Sequence, residues 1–183
     1  HYLDLVAVSI ASDIVPITGE NRVLAYFGLK QLNESPRTGL KEIIKEAEVF
    51  RVLTVEDVVF KIGPRINAAG RMETGSKAVD LLVSSDVKLA TGISKEINNF
   101  NIERRSVDRL ITTEAMRMIS EDQHRLNAKT TVLYNPDWKK GVIGIVASRL
   151  IETYYRPTVI LTESNGFATG SARSVQGYDL YQA

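Results

Sequence analysis

Cysteine is absent from the 183 residues, which excludes disulfides and thiolate metal sites and fits a cytoplasmic location. Histidine is nearly absent: His1 and His124 stand at a terminal and a polar position and give no metal-ligand spacing. No apolar run approaches the roughly 18 residues a membrane span needs, and no signal-peptide pattern opens the chain, so no membrane partner is expected. An excess of charge of one sign is also missing. With 23 basic and 22 acidic residues the net charge is +1, so there is no global basic field of the kind that advertises nucleic-acid binding. Any such contact must come from local clusters: Arg65 with Arg71, Arg104 with Arg105, Lys139 with Lys140, and Arg173. The competing reading of each cluster is an ordinary solvated surface charge.

The 44% hydrophobic and 25% charged content is that of a soluble globular protein, long enough to bury a core as one domain or two small lobes. Residues 2–11 are almost unbroken apolar sequence, and residues 179–181 read as the first turn of a helix. Neither end has the polar, frayed character of a natural terminus, so the sequence reads as a piece of a longer protein.

Hydrophobic periodicity predicts a buried helix over residues 2–12 and a loop closed by Pro16 and Gly19. A second helix follows, N-capped by Asn21, with Val23, Leu24, Phe27 and Leu32 as its apolar stripe. Residues 38–48 form a third helix with Leu40, Ile43, Ile44 and Ala47 on one side. Thr54-Val55-Glu56-Asp57 reads as a capping box opening a fourth, which Gly63-Pro64 should stop. Residues 66–74, with their Gly and Asn, are expected to be loop, and residues 76–83 helix. Ile93, Ile97, Phe100, Val107, Ile111 and Met118, with Arg104 in register, predict one long helix over residues 86–120, with Gly92 a weak point. After a polar break at 122–129, β-branched runs at 130–134 and 158–162 flank helical spacing at 142–154, the mark of a βαβ unit. Residues 167–173 are a further strand after a turn at Gly166. The expected fold is α/β: a helical remnant of one domain (1–85), a connecting helix (86–120) and a mixed α/β domain (121–183).

Three segments place Gly, Arg, Asn and Ser densely in expected loops. In 65–71, small residues would let a ligand approach the backbone, and Arg65 and Arg71 supply forked donors for phosphate, with Asn67 between them. In 138–145, Lys139, Lys140 and Gly141 open a helix as an anion site would. Trp138 there is either a stacking platform for a base or a core residue. In 170–174, Gly170, Ser171 and Arg173 have the makings of a phosphate cradle. Asp13, at the end of the first helix, is either a helix-end partner or a ligand for a hard metal ion, and spacing does not choose between them.

Taken together, residues 3–7 with 12–16 and 19–22, then 65–72, 141–150 and 170–174, resemble in order the later motifs of RecJ-like exonucleases, DHH-family phosphoesterases that end in a DHHA1 domain. The likeness covers essentially the whole chain, and the motifs agree in order and spacing. It implies a fragment of a 5′→3′ exonuclease specific for single-stranded DNA, serving DNA repair and recombination with two Mn²⁺ or Mg²⁺ ions. It also implies partners: single-stranded DNA with a 5′ phosphate, a single-strand-binding protein and a RecQ-type helicase. Asp13 matches the family's last metal-ligand aspartate, while the segments supplying the other ligands lie upstream in the family, so the fragment alone is expected to be inactive. Arg71, Ser171 and Arg173 match positions associated with the 5′ phosphate, and Arg65 and Asn67 belong to the same motif as Arg71. The first arginine of the pair aligns with either Arg65 or Arg71. One departure is Trp138-Lys139, where the family usually has Trp-His. Lysine keeps a cation for phosphate but cannot accept a proton while charged. The alternatives are a nanoRNase or cyclic-dinucleotide phosphodiesterase of the same superfamily, or a non-catalytic nucleic-acid-binding module.

Overall fold

A computed structural model describes residues 2–13 and 15–182; His1, and Ile14 of the 12–16 motif, lie outside the described residues. The chain divides into two compact units, one up to Ile102 and one from Glu103 onward, with the division inside a single long helix.

The first unit is helical: α1 (Leu3–Ser12), α2 (Gly19–Glu34), α3 (Thr38–Glu46), α4 (Val55–Asp57), α5 (Gly63–Met72), α6 (Ser76–Val83) and the first half of α7 (Val87–Ser120). Leu40, Ile43, Val58, Ile62, Leu81 and Ile97 form its fully buried centre. α2 starts two residues before the expected cap, and Asn21 instead donates its side-chain N–H to the Pro16 carbonyl (3.1 Å). Its buried face also differs from the expected stripe. Val23 and Phe27 are about half exposed, while Ala25, Gly28 and Leu32 are buried. The reason is close helix packing. A Cβ on Gly28 would stand 2.1 Å from the Leu3 carbonyl oxygen and 2.6 Å from the Ala7 Cβ, so α1 and α2 meet where only glycine fits.

The capping box forms as read: the Thr54 side chain accepts from the Asp57 N–H, and Asp57 accepts from the Thr54 N–H at 3.0 Å. Gly63-Pro64, however, does not end the helix, and residues 66–74 are not a loop. Residues Val58–Ile62 widen into a π turn in which the Gly63 N–H reaches back to the Val58 carbonyl, and α5 continues through Pro64 to Met72. The wider i→i+5 turn takes up the proline ring that would clash with the i−4 carbonyl in an α-helix. Ala68 and Ala69 are fully buried, so the small residues of this motif pack into the core and do not open toward a ligand.

α7 runs 34 residues, as its periodicity predicts. Its buried stripe is Ala90, Ser94, Ile97, Asn101, Asp108, Ile111, Ala115 and Ile119, three polar residues among them. The expected polar break contains a short helix, α8 (Gln123–Asn127), because the Asp122 side chain caps it at the N–H groups of His124 (2.9 Å) and Arg125 (3.1 Å). The second unit then builds β1 (Thr131–Tyr134), α9 (Lys140–Tyr154), β2 (Thr158–Ser164) and β3 (Phe167–Arg173). β1 and β2 pair in parallel, Val132 opposite Val159, with α9 as the crossover. β3 returns antiparallel through Asn165 and Gly166, both at positive φ (55° and 78°), the turn that matches strand twist in a two-residue hairpin. Val142, Ile143, Val146, Ala147 and Leu150 on α9, with Leu133 and Ile160, form the core of this unit.

Candidate nucleic-acid interface

Asp13 is the C-cap of α1, its N–H donating to the Ser9 carbonyl (3.1 Å), and its side chain is exposed. It lines a hollow of about 460 Å³ together with Ser9, Ser12, Ile66 and Asn67. Two residues singled out in separate motifs, Asp13 and Asn67, thus border one cavity. The buried Ser12 hydroxyl beside them has no hydrogen-bond partner among the described residues. A Cβ on Gly63 would come within 2.5 Å of that oxygen.

Arg65 and Arg71 differ. Arg65 is committed inside the fold: its Nε donates to the Asn98 side chain (2.9 Å), Nη1 to the Lys61 carbonyl (2.8 Å) and Nη2 to the Glu46 carbonyl (3.3 Å). Arg71 stands exposed in the last turn of α5, where a cation also suits the helix dipole. The π turn feeding this helix is pinned by Asp57, a buried hub that sequence reading recognised only as a cap. Besides Thr54 it takes the Arg51 fork (2.7 and 3.0 Å) and Lys61 (3.1 Å). The Thr54 backbone N–H does most to hold the Asp57 carboxyl far below its usual range against the burial that raises it, and Lys61, the Thr54 hydroxyl and Arg51 act in the same direction. Asp4, also unremarked from sequence, is fully buried and bridged by both arms of the Arg37 guanidinium (2.9 and 2.8 Å). Burial raises its carboxyl, but the Arg37 hydrogen bonds and the Leu5 N–H outweigh that and leave it below the ordinary value.

In the second unit Trp138 is 4% exposed, and its indole N–H donates to Glu114 (2.8 Å), which also accepts from Asn135 (3.0 Å). The core reading of Trp138 therefore holds, and its ring presents no open face for a base. Lys139, at the N-cap of α9, pairs with Glu103 at 3.3 Å with both side chains partly exposed, and Lys140 is exposed. Gly144, one turn into α9, lies directly under β3. A Cβ there would stand 3.0 Å from the Ser171 hydroxyl and 3.3 Å from the Arg173 Nη2. Arg173 in turn donates Nη1 to Ser171 (3.1 Å) and Nε to Ser148 (3.2 Å). The 141–150 and 170–174 motifs are thereby brought together as an exposed guanidinium flanked by two hydroxyls over a residue without a side chain. Ser148 was not singled out from sequence, although its position four residues after Gly144 puts it on the same helix face.

Among the described residues no three carboxylates or imidazoles gather as a metal site, and no helix is long and apolar enough to cross a membrane. No sequence-family profile matches the chain. Curated relatives do. The single-stranded-DNA-specific exonuclease RecJ of Bacillus subtilis is 40% identical over 99% of this chain, which spans 23% of that protein. The RecJ proteins of Haemophilus influenzae and Escherichia coli are 37% and 31% identical over 97% and 99% of the chain, 32% of each. Among solved structures, Thermus thermophilus RecJ in complex with Mg²⁺ matches 99% of the chain with a TM-score of 0.86 at 31% identity, the match covering 28% of that structure. An exonuclease RecJ bound to manganese matches with a TM-score of 0.84 at 30% identity. The chain covers about a quarter to a third of its curated relatives, and in sequence and fold alike it belongs to the RecJ family as part of that longer protein.

Proposed function

We propose that the protein containing this chain is a 5′→3′ exonuclease that hydrolyses single-stranded DNA with two Mn²⁺ or Mg²⁺ ions. On this reading it acts in the cytoplasm in DNA repair and recombination, alongside a single-strand-binding protein and a RecQ-type helicase. The observation that carries the reading is the Arg173, Ser171 and Ser148 cluster over Gly144, in a chain of the RecJ family. A guanidinium fork with adjacent hydroxyls matches the several oxygens of a terminal phosphate, which carries more charge than an internal diester. Arg71, exposed at the end of α5, is the second phosphate-binding arginine, while Arg65 holds α5 in place. Asp13 offers an exposed carboxylate oxygen, the donor type Mn²⁺ and Mg²⁺ take, beside the amide of Asn67. One carboxylate is only part of a two-ion site, and the remaining ligands belong to other parts of the longer protein. Lewis acidity at the phosphoryl group is what the ions supply when bound. Lys139 stands where the family usually has histidine and contributes positive charge, not proton transfer.

The full-length protein tests this directly. Arg173→Ala should cost about 1.5–3 kcal/mol of substrate binding, the scale of hydrogen bonds to a charged group, and more on 5′-phosphorylated than on 5′-hydroxyl strands at fixed salt. Equal loss on both would remove the end-recognition role. Asp13→Ala should abolish turnover without unfolding the protein. Products shorter than a strand-degrading enzyme makes, or activity confined to dinucleotides, would replace the exonuclease with a nanoRNase or cyclic-dinucleotide phosphodiesterase.

A further inference from the structure

The second unit carries a basic concavity that the proposed end-recognition cluster does not use. Arg104, Arg105, Asp108, Arg109, Thr112 and Thr113 on α7, with Arg149 on α9, line a hollow of about 240 Å³. Four guanidinium groups face one carboxylate there. That carboxylate is committed: Asp108 is 2% exposed, and it takes both Nε (3.1 Å) and Nη2 (2.9 Å) of Arg149 and the Thr112 hydroxyl (3.3 Å). The other nearby acids are occupied or set apart. Glu103 pairs with Lys139, Glu114 holds Trp138 and Asn135, and Glu152 lies one turn beyond Arg149 on α9. Arg105 and Arg109 are exposed, one helical turn apart on the same face, and take part in no ion pair among the described residues. The Asp108–Arg149 bridge fixes the floor of the hollow and leaves these two forks and the exposed Thr113 hydroxyl at its rim.

We propose that this hollow is a second anion site, which holds internal phosphodiesters of a nucleic-acid strand through Arg105 and Arg109. The lining chemistry selects that ligand. It holds arginine, threonine and one neutralised aspartate, with no aromatic or apolar surface on which a base could stack, so it contacts backbone and is indifferent to sequence. The proposal rests on the nucleic-acid reading above but concerns binding along the strand and is independent of hydrolysis and of the strand end.

The test is equilibrium binding of fluorescently labelled oligothymidine and oligocytidine to the full-length protein with EDTA present, each strand with 5′-phosphate and with 5′-hydroxyl, over a range of salt. Arg105 and Arg109 make no structural bond, so the R105A/R109A double variant should fold normally, as circular dichroism would verify. Its binding should be on the order of ten-fold weaker at low salt, with a log–log salt slope shallower by about 1.4, two single-strand phosphates at about 0.7 each. The loss should be the same for both bases and both 5′ ends, and Arg117→Ala, exposed further along α7, should bind as the parent does. Unchanged affinity and slope in the double variant would overturn the proposal, as would an equal loss from Arg117→Ala. A loss confined to 5′-phosphorylated strands would assign these arginines to end recognition. Displacement of the DNA by polyglutamate from the parent but not from the double variant would assign the hollow to an acidic protein segment. Hydrolysis plays no part in EDTA, so failure of the exonuclease reading in an activity assay leaves this result to stand on its own.

Discussion

Two glycine-to-alanine substitutions in the first unit should change stability in opposite directions. In a helix interior alanine is favoured over glycine by about 0.8–1.0 kcal/mol, chiefly because the unfolded chain loses less freedom. At Gly92, in α7, a Cβ meets nothing within 4 Å, so Gly92→Ala should stabilise by about that amount. At Gly28 the same methyl would lie 2.1 Å from a backbone oxygen of Leu3 and 2.6 Å from the Ala7 Cβ, and neither group can swing aside. α1 and α2 would have to separate, and overpacking of this kind costs about 1–3 kcal/mol. Set against the propensity gain, Gly28→Ala should be destabilising by about 1–2 kcal/mol, and the two variants should lie about 2–3 kcal/mol apart. Urea unfolding of the chain, followed by helical circular dichroism, reads this as midpoints displaced to either side of the parent. A Gly28→Ala protein as stable as the parent would refute the claim that α1 and α2 are held at glycine distance. It would also remove the expectation that this contact sets the position of Asp13 at the end of α1.

Asp57→Asn should destabilise the first unit by about 2 kcal/mol at neutral pH, through the cap and the Arg51 and Lys61 bonds it weakens. Because the folded carboxyl is held below its unfolded value of about 3.9, its contribution is complete above that value and disappears as pH falls toward the lower folded one. The gap between parent and variant in urea midpoints should therefore be constant from pH 7 to about 5 and close below about 4; a gap that persisted in acid would show that the carboxylate charge is not its source. In the full-length protein, Lys139→Arg should preserve more activity than Lys139→Gln, because a cation beside Glu103 is retained. Equal losses would point to packing of the lysine stem instead.

The elements that could be read from sequence are those whose signal is local. The parallel pair β1 and β2 announces itself by β-branched runs around a helical stretch, the hairpin by Asn165-Gly166, and α7 by a period sustained over 34 residues. α5 was illegible because Gly63-Pro64 is locally a stop signal, and the π turn that overrides it depends on the Gly63 to Val58 bond and on a buried Ala68-Ala69 face. The same division runs through the candidate site. Motif order located Asp13, Arg71, Ser171 and Arg173, but which arginines are already committed is decided by distant partners. Arg65 bonds Asn98, 33 residues on, and the Trp138 indole finds Glu114, 24 residues back. No spacing rule within a motif reports either contact.

The π turn at Val58–Ile62 has a consequence for how tolerant this region is of change in length. A turn closed by i→i+5 bonds holds one residue more than its α-helical counterpart. Deleting a single residue from it would restore ordinary helix and keep every hydrogen bond, yet it would turn everything downstream by about 100° relative to the capping box at Thr54. Asn67 would swing off the hollow it shares with Asp13, and Ala68 and Ala69 would leave the core for the surface. The extra residue thus works as a phase setter: it fixes the rotational setting of α5, so length in this segment is under tighter constraint than the identity of most residues within it.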